Sequence, residues 1–152
     1  MDSTQINKPF IEQRADPYVC RHTDGSYYFT ASVPDYDRIV LRRANTLRGL
    51  QDAEEITVWK RHKRGKMSEH IWAPELHYLD GRWFLYFAAG RRKHIWKIRP
   101  YVLECMGQDP LHDRWVERGK IRRSNDDIYS FKAFSLDATV FEHRGEKYFV
   151  WA

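Results

Sequence analysis

The chain carries only two cysteines in 152 residues, Cys20 and Cys105, too few for a disulfide framework. Both sit in apolar contexts and fit buried free thiols in a reducing compartment. No apolar run approaches the roughly 20 residues that span a bilayer, so no membrane partner is expected. The opening stretch MDSTQINKPF lacks the basic-then-apolar pattern of a secretion signal, which points to a cytoplasmic location. Helical periodicity is scarce as well: no segment sustains an apolar period of 3.6, and only residues 47–55 suit a short helix. The histidines are scattered without metal-ligand spacing. No serine or cysteine stands in a nucleophile elbow, and there is no glycine-rich phosphate loop. No cofactor is therefore expected.

What is present is a globular composition, 42% hydrophobic and 15% aromatic, in a chain long enough to bury a core without staples. The net charge of +5 raises the question of nucleic acid. The basic residues gather at 60–66, 91–93 and 118–123, each between hydrophobic runs, and read as solvated loops. A nucleic-acid surface would need stacking aromatics beside them. The aromatics fall inside the apolar runs instead, so no nucleic-acid partner is expected.

Those runs are short, aromatic and β-branched, and they come in pairs around turn signals. Residues 18–20 and 27–32 flank Thr23-Asp24-Gly25, residues 76–79 and 83–89 flank Asp80-Gly81, and residues 140–142 and 148–151 flank Arg144-Gly145. Asp-Gly between such runs is a strong hairpin signal, since both central residues must tolerate positive φ. Further strands are expected at 39–44, 57–59, 101–105 and 115–120. The class is all-β.

The three hairpins also resemble one another. Aligned on their turns, ADPYVCRHTDGSYYFTAS, WAPELHYLDGRWFLYFAAG and LDATVFEHRGEKYFVWA place Asp16, Ala73 and Asp137 in equivalent positions, 57 and 64 residues apart. That spacing holds four strands and their loops, so the repeat predicts a β-propeller over the rival sandwich. The expected blades are residues 10–62, 70–122 and, in part, 131–152. Equivalent positions in successive blades ring a common axis. Two aspartates there, with an alanine between them leaving room, point to a ligand site more than to turn caps, the structural alternative.

At these residues the chain resembles glycoside hydrolase family 43, whose members are five-bladed β-propellers. The resemblance rests on Arg14-Ala15-Asp16-Pro17, on Ile71-Trp72-Ala73-Pro74-Glu75-Leu76 and on Ser135-Leu136-Asp137-Ala138-Thr139, in that order. It implies an inverting glycosidase with Asp16 as general base and Asp137 as the aspartate that orients and tunes the acid. Trp72 supplies an aromatic wall at the sugar, with Ala73 and Leu136 beside it and Tyr36, between Asp35 and Asp37, at the rim. Glu75 is expected to make a structural hydrogen bond, and Trp72 has plain core packing as its rival role. The likeness is strongest to the intracellular α-L-arabinofuranosidase branch, with β-xylosidases near, so the implied partner is an arabinose- or xylose-containing oligosaccharide. Members sometimes hold a structural ion in the central channel, but no residue here identifies its ligands.

The family's general-acid glutamate comes from the fourth blade. Repeats of about 60 residues would put it near position 190, and no glutamate of this chain stands in a matching motif. The sequence thus reads as the N-terminal half of an enzyme, inactive alone. Its expected partner is a complementary propeller fragment or a second copy of itself; the alternative is a non-catalytic carbohydrate-binding or self-associating piece.

Overall fold

The computed structural model describes residues 9–152. Its described residues form ten strands, all paired antiparallel, as the alternating hairpins require. β1 (Ala15–Arg21), β2 (Tyr27–Ser32), β3 (Arg38–Ala44) and β4 (Ile56–Lys60) make one sheet in chain order. β5 (Glu69–Leu79), β6 (Arg82–Arg91), β7 (His94–Cys105) and β8 (Trp115–Lys120) make a second sheet in the same order. β9 (Thr139–His143) and β10 (Glu146–Val150) form a third, two-stranded unit.

The turns do what their residues dictate. Asp80 and Gly81 have φ of 49° and 77°, Arg144 and Gly145 of 52° and 81°. Each pair closes a two-residue loop, between the partners Leu79 and Arg82 and between His143 and Glu146. Positive φ at both central positions matches the right-handed twist of the strands it joins. The first hairpin has a longer loop, in which the Ser26 N–H donates to Asp24 Oδ1 at 2.8 Å.

The main core lies between the two four-stranded sheets. Tyr28, Ile39 and Leu41 of the first sheet meet Ile71, Leu76, Trp83, Leu85 and Phe87 of the second, all essentially inaccessible to water. Aromatic contacts tie this seam at the turn end, where Trp83 lies 4.9 Å from Tyr28 and 4.7 Å from His22. A smaller cluster of Phe29, Ala31 and Leu50 covers the other face of the first sheet. The third hairpin is attached more lightly, by Phe149 against Tyr86 at 5.7 Å and by the Lys147–Asp80 pair at 2.9 Å.

Two segments depart from the sequence reading. Residues 47–55 form no α-helix; a single 3₁₀ turn covers Arg48–Gln51. The stretch is too short to repay helix nucleation, Gly49 sits in its middle, and within that turn only Leu50 is buried. β7 begins at His94, well before the expected 101–105. It pairs with β6 through the tip Arg91 and His94, within a basic cluster read as loop. Residues 94–97 are exposed throughout, so no alternating pattern marked them as strand.

Candidate active site

The equivalent positions in the three repeats share one unusual backbone state. Asp16, Ala73 and Asp137 have φ of 49°, 43° and 48°. A non-glycine residue in this left-handed region costs roughly 1–3 kcal/mol and persists only where the surroundings hold it. Asp16 and Ala73 lie within bulges, where the registers of β1 on β2 and of β5 on β6 skip. A bulge re-aims the side chain it contains. Both aspartates keep substantial exposure: the bulge turns Asp16 out of its sheet, and Asp137 stands two residues before β9.

Ser32 at the end of β2, 1% exposed, joins the first two repeats. Its Oγ donates to Asp16 Oδ2 at 3.0 Å and accepts the Ala73 N–H at 2.8 Å. One hydroxyl thereby satisfies a backbone donor freed by the bulge and fixes one carboxylate oxygen. A hollow of about 390 Å³ opens beside it, lined among others by Ala15, Ser32 and Tyr36.

Asp137 completes a carboxylate centre with Asp16 and Glu75. Partial burial pushes the Asp137 carboxyl above the ordinary aspartate range, and the charges of Asp16 and Glu75 push it the same way. Glu75 is anchored by His77, whose Nε2 lies 2.9 Å from Glu75 Oε2. His77 is 7% exposed, between the rings of Tyr18 and Tyr86. Burial, with Cys20 and Glu75 behind it, also holds the Tyr18 hydroxyl well above the usual phenol range. Negative charge is thus concentrated where the three repeats meet.

Beside this centre runs a file of rings. Tyr36 meets Trp72 edge-on at 5.7 Å, Trp72 lies 4.4 Å from His70, and His70 stacks on the 65% exposed Trp96 at 5.5 Å and 21°. Trp72 Nε1 and His70 Nε2 are buried with no hydrogen-bond partner among the described residues. Buried donors are rarely left so. Tyr36 is held by its backbone, donating to Val33 O at 3.0 Å and accepting from the Ile71 N–H at 3.2 Å.

Other expected residues are placed differently. Arg38 holds both Asp35, at 3.3 Å, and Asp37, at 2.7 Å. The Leu136 N–H and C=O pair with Ala152, leaving only its side chain for other contacts. Among the described residues no group of three His, Cys, Asp or Glu side chains is arranged for a metal. Sequence reasoning passed over Ser32, His77 and Trp96. Only Ser32 had a faint signal, a polar residue closing an otherwise apolar strand in the first repeat.

Comparison with known proteins fits this arrangement. The family model of the glycosyl hydrolases family 43 matches residues 6–152. The chain is 51% identical over 144 residues to an extracellular exo-alpha-(1->5)-L-arabinofuranosidase of Streptomyces chartreusis, covering 95% of this chain and 42% of that protein. It is likewise 51% identical over 150 residues to the enzyme of the same name from Streptomyces avermitilis, covering 99% and 30%. The crystal structure of an alpha-L-arabinofuranosidase from Lactobacillus brevis superposes with a TM-score of 0.84 at 49% identity, over 95% of this chain and 45% of that one. The chain therefore spans less than half the length of these relatives. The fold is that of the family's β-propeller, of which the chain supplies two four-stranded blades and the first hairpin of a third.

Two of these relatives are named extracellular, which overturns the cytoplasmic location read from the sequence and the intracellular branch with it. The reducing compartment read from the two thiols goes with it. Burial pushes the Cys20 thiol up to about 11 and that of Cys105 upward as well, and protonated, shielded thiols are inert in any compartment. With the family model matched from residue 6 to residue 152 and the carboxylates standing at the repeat's own positions, the chain belongs to the glycosyl hydrolases family 43.

Proposed function

We propose that this chain supplies the base side of the active site of an inverting α-L-arabinofuranosidase that removes terminal arabinose from (1→5)-linked arabinan. The observation that carries the reading is the convergence of Asp16 and Asp137 on one carboxylate centre, both on left-handed backbone at matched repeat positions. The printed names of relatives at 51% identity support the substrate.

Inversion needs a base and an acid roughly 6.5–9.5 Å apart, with room for a water between the base and the sugar. Asp16 is the base. Ser32 occupies Oδ2, which leaves Oδ1 to take a proton from the attacking water. The general acid comes from blades that these residues do not build. It must stay protonated near neutrality, and a neighbouring negative charge achieves that; Asp137, itself crowded by Asp16 and Glu75, is that neighbour. Trp72 offers a ring face to the furanose.

The test is Asp16→Asn in a ring completed with the remaining blades, assayed on an aryl α-L-arabinofuranoside. Turnover should fall by about 10²–10⁴-fold, the range for a lost general base, with KM little changed and the anomer first released by the parent ring inverted. Undiminished turnover in the variant, or full activity of residues 1–152 alone, refutes the assignment.

A further inference from the structure

Two hollows of about 580 and 370 Å³ contain none of Asp16, Glu75 and Asp137 in their walls and share Lys66, Lys120, Phe131 and Lys132, so they form one groove. The basic stretches that sequence scatters over three loops meet here: Lys66 from the β4–β5 linker, Arg91 at the end of β6, and Arg122 just after β8. Among the described residues no carboxylate lines either hollow. Arg118 at one end is paired with Glu104, but Lys66, Lys97, Lys120 and Lys132 have no acidic partner within salt-bridge reach among the described residues.

Arg99 makes the charge imbalance acute. It is 8% exposed, and its guanidinium donates only to neutral acceptors, the carbonyls of Ile98 at 2.6 Å and Lys132 at 2.7 Å. A buried cation is ordinarily matched by a carboxylate. Here the surroundings are cationic: desolvation, then Arg99, Lys66, Lys97 and Arg122, all press the Lys120 ammonium toward its neutral form. An anion entering the groove would relieve this repulsion.

The groove offers little to nucleic-acid bases. Phe131 is turned against Trp151 at 4.7 Å, and Tyr101 is buried beside Phe87, so neither presents an open stacking face. Guanidinium and ammonium groups along an open trough suit instead a row of carboxylates. Family membership makes a saccharide the polymer that this fold meets. We propose that the groove binds an acidic saccharide chain, one bearing uronate carboxylates, as an anchoring site separate from the carboxylate centre. This rests on the family and not on the roles given to Asp16 and Asp137.

Calorimetric titration of the 152-residue chain with oligogalacturonate tests it. Binding is expected, weakening by about tenfold or more between 50 and 200 mM salt as several ion contacts are screened. The fully methyl-esterified oligomer, with the same sugars and no charge, should not bind. Lys120→Glu with Arg122→Glu should weaken binding by at least about tenfold. Lys63→Glu with Arg64→Glu, outside these walls, should not, which separates the groove from net charge; circular dichroism checks that each variant folds. Asp16→Asn should bind as well as the parent, so failure of the catalytic reading leaves this result intact. Equal binding of the methyl ester, tighter binding of a single-stranded DNA oligonucleotide, an unaffected groove variant, or loss of binding in the completed ring would each overturn it.

Discussion

Asp16, Ala73 and Asp137 owe their meeting to the repeat: each stands at or just before the first strand of its sheet, on the same left-handed backbone. Lys66, Arg99 and Lys120 have no such kinship; they come from a linker, a third strand and an outer strand. The acidic centre is also locally compensated, by the Ser32 hydroxyl on Asp16 and the His77 ring on Glu75. The cationic groove has neutral carbonyls for Arg99 and no acid for its lysines. A site built by repetition arrives with its supports, whereas one built by the meeting of unlike loops leaves its charge for something else to balance.

The sharpest way to break the first half of that contrast is Asp137→Asn in the completed ring. Removing its charge lowers the pKa of the general acid, so the acid ionises earlier as pH rises. The high-pH limb of the kcat profile should then move to lower pH by about one unit, equivalent to ~1.4 kcal/mol. The low-pH limb should stay in place. Turnover at neutral pH should fall by about 10²-fold. A profile merely scaled down, with both limbs in place, would mean that Asp137 only positions the substrate.

Ser32→Ala probes the support itself. It strips one bond from Asp16 and leaves the Ala73 N–H unpaired, at a cost of about 1–3 kcal/mol in urea unfolding of the chain. Thr30, two residues earlier on β2, is the internal contrast: its Oγ1 is buried with no partner. Thr30→Val should therefore be neutral or stabilising by up to about 1 kcal/mol. Equal losses at both positions would show that strand packing, and not the bridge, is being measured.

The same asymmetry explains what was legible beforehand. Asp80-Gly81 and Arg144-Gly145 announced their hairpins because a two-residue turn demands positive φ, and the matched hairpins announced the propeller and the two aspartates. Ser32 had only a faint local signal, because its bridge spans strands that pair or pack at a distance; His77 had none, because its tie to Glu75 two residues away gains meaning only once both reach the carboxylate centre. The basic stretches were visible as charge but not as a place, because only the folded linker at 121–132 brings Lys120 and Lys132 beside Lys66. Pattern reading recovers what repeats or alternates along the chain. It is blind to a site whose members share neither period nor strand position.

The smallest expected effect bears on the groove in the absence of any ligand. The Lys120 ammonium is disfavoured in the folded chain by desolvation and by four neighbouring cations, so its folded pKa lies below the unfolded one. A depressed lysine costs stability while it stays charged, and the cost fades as pH rises through its folded pKa. Lys120→Met removes that cost at neutral pH. The chain should gain about 0.5 kcal/mol, the usual scale for a surface charge, or roughly 1–2 °C in Tm for a domain of this size. High salt should erase the gain, because it screens the repulsion that the mutation relieves. A gain that survives 1 M salt would come from the added apolar contact instead. A loss of stability would mean that Lys120 already has an anionic partner within the chain, and the contrast between a compensated centre and an uncompensated groove would fail at its most crowded residue.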